Sequence, residues 1–117
     1  MSNFSSQEIA RYYDVSKTHY EKMWDLQRSL SLHYGYWDNS TKNFHEALLN
    51  INKVMSAKAS ITKKDIVLDA GCGGGGSCIW LAKNIGCRVT GISLSNKQVE
   101  DATAKSGDER LKTLAVF

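Results

Sequence analysis

The chain has 117 residues, of which 42% are apolar and 23% are charged, and its formal net charge is +3. These values predict one globular unit at most, and basic residues that are few and scattered give no support to a nucleic-acid partner. No run approaches the roughly 18 apolar residues of a membrane span, and the polar start of the chain is unlike an export signal. The three cysteines lack the spacing of a metal or redox motif, which predicts reduced thiols in the cytoplasm.

The first sixty residues predict helices. Ser5 and Glu8 have the spacing of a capping box, which marks the start of a helix. The aromatic segment His33–Ser40 interrupts the helical pattern with a glycine and turn-forming residues. The predicted helices lie at residues 5–14, 16–32 and 41–59. We interpret residues 1–60 as a helical lead-in or lid.

From residue 61 the pattern changes to alternating strands and helices. The predicted elements are a strand at 65–69, a helix at 77–85, a strand at 88–92, a helix at 95–105 and the start of a third strand at 111–117. Strand, glycine loop, helix and strand form a βαβ unit with parallel strands. The predicted fold class is therefore α/β, with N-terminal helices followed by the first βαβ units of an incomplete Rossmann-like sheet in residues 61–117. An open sheet edge favours pairing with a second copy, so a homo-oligomer, or a non-enzymatic self-associating module, is one expectation.

The most informative stretch is Ile66–Ser77, where an apolar strand ends in Asp69 and runs into five glycines and a helix. Glycine has no Cβ, so such a backbone turns sharply and lets a ligand approach closely. The start of the helix adds unpaired N–H groups and a partial positive charge. At the carboxyl end of a parallel strand, this arrangement predicts a cofactor-binding loop. The structural alternative is that the glycines only form a tight connection between the strand and the helix.

The glycine spacing fits two cofactors. Gly71, Gly73 and Gly76 match GxGxxG, the dinucleotide pattern. With Gly75 as its third member, the set matches GxGxG, the loop of methyltransferases that use S-adenosylmethionine. Spacing alone does not separate the two.

Residues outside the loop favour the methyl donor. Asp69 lies two residues before the first glycine, whereas dinucleotide folds place their distinctive acid about 20 residues further on. The aromatic lead-in points the same way. Ser93 stands at the later position, where it suits ribose hydroxyls together with Gln98, or the 2′-phosphate of NADP. An NADP-binding oxidoreductase therefore stays an alternative.

With these residues in place, the chain resembles class I methyltransferases. Val67–Gly73, Val89–Ser95 and Gln98 are similar to the branch that contains cyclopropane fatty acid synthases, tocopherol and sugar O-methyltransferases and small-amine N-methyltransferases. Tyr12–Asp14 and Leu32–Asp38 resemble its N-terminal helical lid. The resemblance implies transfer of a methyl group from S-adenosyl-L-methionine to a small molecule or lipid. Members of this branch continue through further strands, so the chain resembles a truncated N-terminal portion, and no catalytic residue is assigned.

The resemblance also implies cofactor-binding roles for nine residues. They are Asp69, Gly71, Cys72 and Gly73 around the methionine part, Ser93, Leu94 and Gln98 beside the adenosine, and His33 and Tyr36 from the lid. In this assignment Asp69 organises the loop. Tyr13 is a weaker candidate.

Several of these residues also have structural interpretations. Gln98 has the spacing of a capping box with Ser95, and Asp38 is expected in a turn. Cys72 lies near a helix N-terminus that favours a thiolate, yet no base partner accompanies it. We expect no metal site, because the three histidines are scattered along the chain.

Overall fold

The computed structural model describes residues 4–23, 31–107 and 109–117. The elements in chain order are α1 (Ser6–Met23), α2 (Phe44–Lys58), β1 (Ile66–Ala70), α3 (Gly76–Asn84), β2 (Arg88–Ile92), α4 (Asn96–Lys105), α5 (Glu109–Leu114) and β3 (Ala115–Val116). The strands form one parallel sheet in the order β1-β2-β3. The predicted α/β class and its parallel βαβ unit are confirmed.

The register of the sheet brings the predicted cofactor residues together. Ala70, the last residue of β1, is paired with Ile92, the last residue of β2. Because the two strands are parallel, the loops that follow them leave from the same edge of the sheet. The glycine loop and the segment Ser93–Ser95 are therefore neighbours in space although they are distant in sequence.

A core fills the space between one face of the sheet and helices α3 and α5. Its buried members are Cys72, Cys78, Leu81, Ala82, Cys87, Val89 and Ala115. Cys78 and Cys87 are fully buried and pack within this core. The opposite face is open: Leu68 on β1 is 63% exposed and Ile92 on β2 is 51% exposed.

The helical lead-in differs from its prediction. Two helices were expected on either side of Val15, but the structure has one continuous helix, α1, through that position. The reason is that neither glycine nor proline interrupts the chain there, so the i to i−4 hydrogen bonds run on. The capping box is confirmed, since Ser5 and Glu8 exchange hydrogen bonds at the start of α1. The predicted helical residues 24–30 lie outside the described residues, and Ser31 and Leu32 are not helical.

The end of the chain also differs. A strand was expected over residues 111–117, but helix α5 occupies Glu109–Leu114 and β3 is limited to Ala115–Val116. Glu, Arg, Leu and Lys are good helix formers, and Lys112 pairs with Glu109 one turn earlier at 3.1 Å. Local helix propensity therefore determines the structure up to Leu114, and only Ala115 and Val116 pair with β2 as a strand.

The aromatic segment is fastened to α2 by hydrogen bonds. The Tyr36 N–H donates to the Ala47 carbonyl at 2.9 Å, and the Asn50 amide donates to the Asp38 carboxylate at 2.8 Å. The Ser40 hydroxyl and the Asn50 amide both donate to Asp38, and these bonds lower the pKa of its carboxyl group. Asp38 therefore has the structural turn role that was predicted for it.

Candidate functional site

The glycine loop is held by the neighbouring strand. The backbone N–H groups of Gly71 and Cys72 both donate to the carbonyl of Ile92, at 2.9 Å each. A further bond from the Gly75 N–H to the Cys72 carbonyl, at 2.9 Å, closes the turn. The bend is thus fixed to the carboxyl end of β2 before any ligand arrives.

A cavity of about 390 Å³ lies against this bend. Its walls come from the loop after β1, the segment after β2, helix α1 and the start of the aromatic segment. The lining residues are Ile9, Tyr13, Tyr20, Leu32, His33, Tyr34, Gly71, Gly73, Ser93, Leu94 and Gln98. This size lies within the roughly 300–1,000 Å³ that is usual for small-molecule sites.

The two glycines in the wall leave room for a ligand. A Cβ added to Gly71 or to Gly73 would meet no protein atom within 4 Å, although both residues line the cavity. The bare backbone therefore faces open space, and a ligand can lie directly against it. That is the fit expected for a cofactor held by a glycine bend.

A hydrogen-bonded corner forms the side of the cavity at the end of β2. The Ser93 hydroxyl donates to the Gln98 side-chain oxygen at 2.7 Å and accepts the Ser95 N–H at 3.2 Å. The Gln98 backbone N–H donates to the Ser95 hydroxyl at 3.2 Å, which makes Ser95 the N-cap of α4. Of the predicted capping box, the bond from the Gln98 N–H to the Ser95 hydroxyl is present. The Gln98 side chain accepts from Ser93 instead of from the Ser95 N–H. Because its oxygen is engaged there, Gln98 offers N–H groups to a ligand.

His33 borders the cavity as a neutral imidazole. Its Nδ1 accepts the Gly35 N–H at 3.1 Å, so the proton of the neutral ring is on Nε2. Among the described residues, the buried Nε2 has no hydrogen-bond partner. Burial lowers the pKa of this imidazole, which keeps the neutral form.

We expect this burial to make stability depend on pH. An unfolded chain protonates the His33 imidazole below about pH 6.5, whereas the folded chain resists protonation. The unfolded state then binds more protons, so stability falls as pH drops through this range. The midpoint temperature of thermal unfolding should fall less between pH 7.5 and pH 5.5 in the His33→Gln variant than in the parent chain. An equal difference in both chains would contradict the neutral assignment.

Asp69 and the nearby thiols form a separate group behind the loop. The Cys78 thiol donates to an Asp69 carboxylate oxygen at 3.2 Å, and neither side chain lines the cavity. Burial and the charge of Asp69 raise the pKa of both Cys78 and Cys72. The thiolate that the helix N-terminus would favour at Cys72 is therefore opposed by burial and by the charge of Asp69.

The structure brings together most of the predicted cofactor residues. Those that line the cavity are His33, Gly71, Gly73, Ser93, Leu94 and Gln98, together with Tyr13. The side chains of Asp69, Cys72 and Tyr36 are not in its lining, and Tyr34 takes the place expected for Tyr36. The sequence reasoning missed Ile9 and Tyr20, whose spacing from Tyr13 puts all three on one side of α1.

Two features are absent from the part of the chain that the structure describes. Within it, no group of three His, Cys, Asp or Glu side chains is arranged to hold a metal ion. Within the same part, no helix has the length and apolar character that crossing a membrane requires.

Comparison with known proteins agrees with this geometry. The sequence model of the family described as mycolic acid cyclopropane synthetase matches residues 2–115. The chain belongs to this family. The resemblance to the branch with cyclopropane fatty acid synthases is thereby confirmed.

Two curated relatives are methyltransferases. The 27-O-demethylrifamycin SV methyltransferase of Amycolatopsis mediterranei is 32% identical over 117 residues, which are 100% of this chain and 42% of the relative. The sterol 24-C-methyltransferase of Eremothecium gossypii is 32% identical over 88 residues, which are 75% of this chain and 22% of the relative. The chain thus spans less than half the length of these relatives.

Solved structures share the fold. A mycolic acid cyclopropane synthase, complexed with SAH and CTAB, superposes with a TM-score of 0.83 at 19% identity, covering 98% of this chain and 40% of that one. A geranyl diphosphate methyltransferase, complexed with GPP and sinefungin, superposes with a TM-score of 0.75 at 21% identity, covering 95% and 47%. At these identities the superpositions support the fold alone.

Proposed function

We propose that the cavity binds S-adenosyl-L-methionine and that the chain serves a methyltransferase acting on a small molecule or lipid. One observation carries the proposal: the open glycine backbone and the Ser93–Gln98 corner border the same cavity. Membership of the cyclopropane synthetase family supports it. That the chain is the N-terminal portion of a longer enzyme stays a prediction.

The bound cofactor would supply a methyl group on a positively charged sulfonium. The chain's own residues would bind and orient it. Gly71 and Gly73 would receive the methionine part against their backbone, and Leu94 with the Gln98 N–H groups would border the adenosine. His33 would contribute a neutral Nε2–H donor rather than a second positive charge. Roles for Asp69, Cys72 and Tyr36 in binding stay predictions.

Rate enhancement in such a transfer would come from positioning and from electrostatics. We propose that residues 1–60 act as the lid and residues 61–117 as the cofactor-binding part. No residue is assigned as a general base. The acceptor proposal rests on the relatives, whose names specify 27-O-demethylrifamycin SV and a sterol. A cytoplasmic location is proposed because the three cysteines are free thiols.

The NADP alternative has little in its favour. Among the described residues that line the cavity there is no Lys or Arg to meet a 2′-phosphate. The Ser93 hydroxyl is committed to Gln98. Isothermal titration with S-adenosylhomocysteine and with NADPH tests the proposal directly. We expect binding of the first and none of the second, and the reverse result would replace the methyltransferase proposal with the oxidoreductase.

We further propose that two copies associate through the free edge of β1. In the described sheet β1 pairs with β2 alone, and the face beside it exposes Ile66, Leu68, Ile92 and Val116. Unpaired backbone groups next to apolar side chains favour pairing with another strand.

Sedimentation velocity tests the association. The parent chain should sediment as a dimer at micromolar concentration, and Leu68→Lys should shift it to the monomer, because a charge then lies on the apolar face. Val15→Lys is the matched control, since Val15 is 73% exposed and belongs to helix α1 rather than to a strand of the sheet. A parent chain that sediments as a monomer would rule the dimer out.

A further inference from the structure

One wall of the cofactor cavity is formed by helix α1, which does not bury an apolar face. Over its described residues, Ser6–Met23, helix α1 contains no buried residue. Nevertheless Ile9, Tyr13 and Tyr20 on this helix line the cavity. Helices in proteins are usually positioned by packing of an apolar face, so the position of α1 needs another source.

Polar contacts between α1 and α4 provide it. The Ser95 hydroxyl donates to the Asp14 carboxylate at 2.5 Å. One turn further along α1, the Lys17 ammonium lies 2.5 Å from the Asp101 carboxylate. Residues three apart share a face of a helix, so both contacts fasten the same side of α1 to the sheet part of the molecule.

The two contacts differ in their surroundings. Lys17 and Asp101 keep 26% and 33% of their side-chain surface exposed, and ion pairs at such sites contribute little because solvent screens them. Ser95 is 1% exposed. A hydrogen bond from a buried hydroxyl to a carboxylate is stronger, and its loss strands the hydroxyl without an acceptor.

Ser95 is also the junction of the hydrogen-bonded corner of the cavity. Its oxygen accepts the Gln98 N–H and its own N–H donates to the Ser93 hydroxyl, which in turn holds the Gln98 side chain. A serine hydroxyl has one proton to give, and here Asp14 receives it. The carboxylate therefore orients Ser95 and adds negative charge beside the N-terminus of α4, where it is favourable.

We propose that Asp14 is a positioning residue of the cofactor site. Through Ser95 it holds α1 over the glycine loop and fixes the corner formed by Ser93 and Gln98. It does not touch the ligand in this scheme. The inference rests on the proposed function for the identity of the ligand, but the placement of α1 is a property of the chain itself.

The first experiment needs no ligand. Hydrogen exchange of the α1 amides should become faster in Asp14→Leu and stay near the parent rate in Asp14→Asn, because the Asn oxygen still accepts the Ser95 hydroxyl. Lys17→Met is the matched control on the same face and should change the exchange less than Asp14→Leu does. Amides of α2 serve as an internal reference, since they should keep their protection in every variant. Unchanged exchange of α1 in Asp14→Leu would overturn the inference.

The second experiment measures affinity for S-adenosylhomocysteine by isothermal titration. Asp14→Leu should weaken binding about 10-fold or more, which is the usual scale for a lost charge-assisted hydrogen bond. Asp14→Asn should recover most of the affinity and Lys17→Met should stay within about 3-fold of the parent. Equal affinity of Asp14→Leu and the parent would sink the positioning role and leave the proposed function standing. A parent chain that does not bind at all would sink the proposed function, while the exchange experiment would still decide how α1 is held.

Discussion

Replacing Gly35 by alanine should cost about 3 kcal/mol of folding free energy, one of the two largest effects we expect from a single methyl group in this chain. Gly35 has φ = +77°, in the left-handed region that residues with a Cβ rarely adopt. A Cβ at this position would lie 2.6 Å from the Ala47 carbonyl carbon. Because that atom belongs to the backbone of α2, it cannot turn aside, and the aromatic segment must separate from the helix.

The same change should weaken cofactor binding. The Gly35 N–H donates to His33 Nδ1, and the next residue, Tyr36, donates its N–H to Ala47. Moving this segment releases the imidazole that borders the cavity. We therefore expect Gly35→Ala to lower both the urea midpoint of unfolding and the affinity for S-adenosylhomocysteine.

Gly86→Ala separates the two causes of the stability loss. Gly86 also has a positive φ, +80°, but its Cβ would meet nothing nearer than 4.0 Å, at Lys63. This control carries the conformational cost without the clash, about 1 kcal/mol. If urea unfolding gives the same loss of stability for both variants, Gly35 does not approach α2 as closely as the structure indicates.

The sheet part of the fold was predictable because its signals are local. A short apolar strand, a run of glycines and a helical pattern lie next to each other between residues 66 and 84. Parallel pairing then follows from the βαβ rule, which needs no knowledge of the side chains. Gly86 follows the end of α3 with a positive φ and its N–H bonded to the Leu81 carbonyl, as is common for a glycine that ends a helix.

The wall that α1 contributes was harder to predict, for a physical reason. Ile9 and Tyr13 have helical spacing, which identifies a face but not the surface that it meets. What fixes that surface is a contact between Asp14 and Ser95, 81 positions apart in the chain. A single aspartate in a helix carries no sign of such a partner. The contact between Asp69 and Cys78 was equally hidden, because the sequence does not show which neighbour a carboxylate at the end of a strand will meet.

Gly73→Ala should weaken cofactor binding strongly while leaving the fold in place. Gly73 has φ = +54°, within the left-handed region that alanine enters at a cost of about 1 kcal/mol. Its Cβ would meet no protein atom within 4 Å, so the methyl group points into the open space of the cavity. A ligand that lies against this backbone would meet the methyl group, whereas the ligand-free chain would not.

The expected loss of affinity for S-adenosylhomocysteine is about 10- to 100-fold, the range that corresponds to overpacking by one methyl group. Gly86→Ala is again the control, because it has the same backbone cost and lies away from the cavity lining. Isothermal titration of the three chains, alongside their urea midpoints, separates binding from stability. Since Gly73→Ala and Gly86→Ala should unfold at similar urea concentrations, a difference in affinity between them reports on the cavity. If instead Gly73→Ala binds as tightly as the parent chain, the ligand does not lie against the glycine bend, and the proposed cofactor site is misplaced.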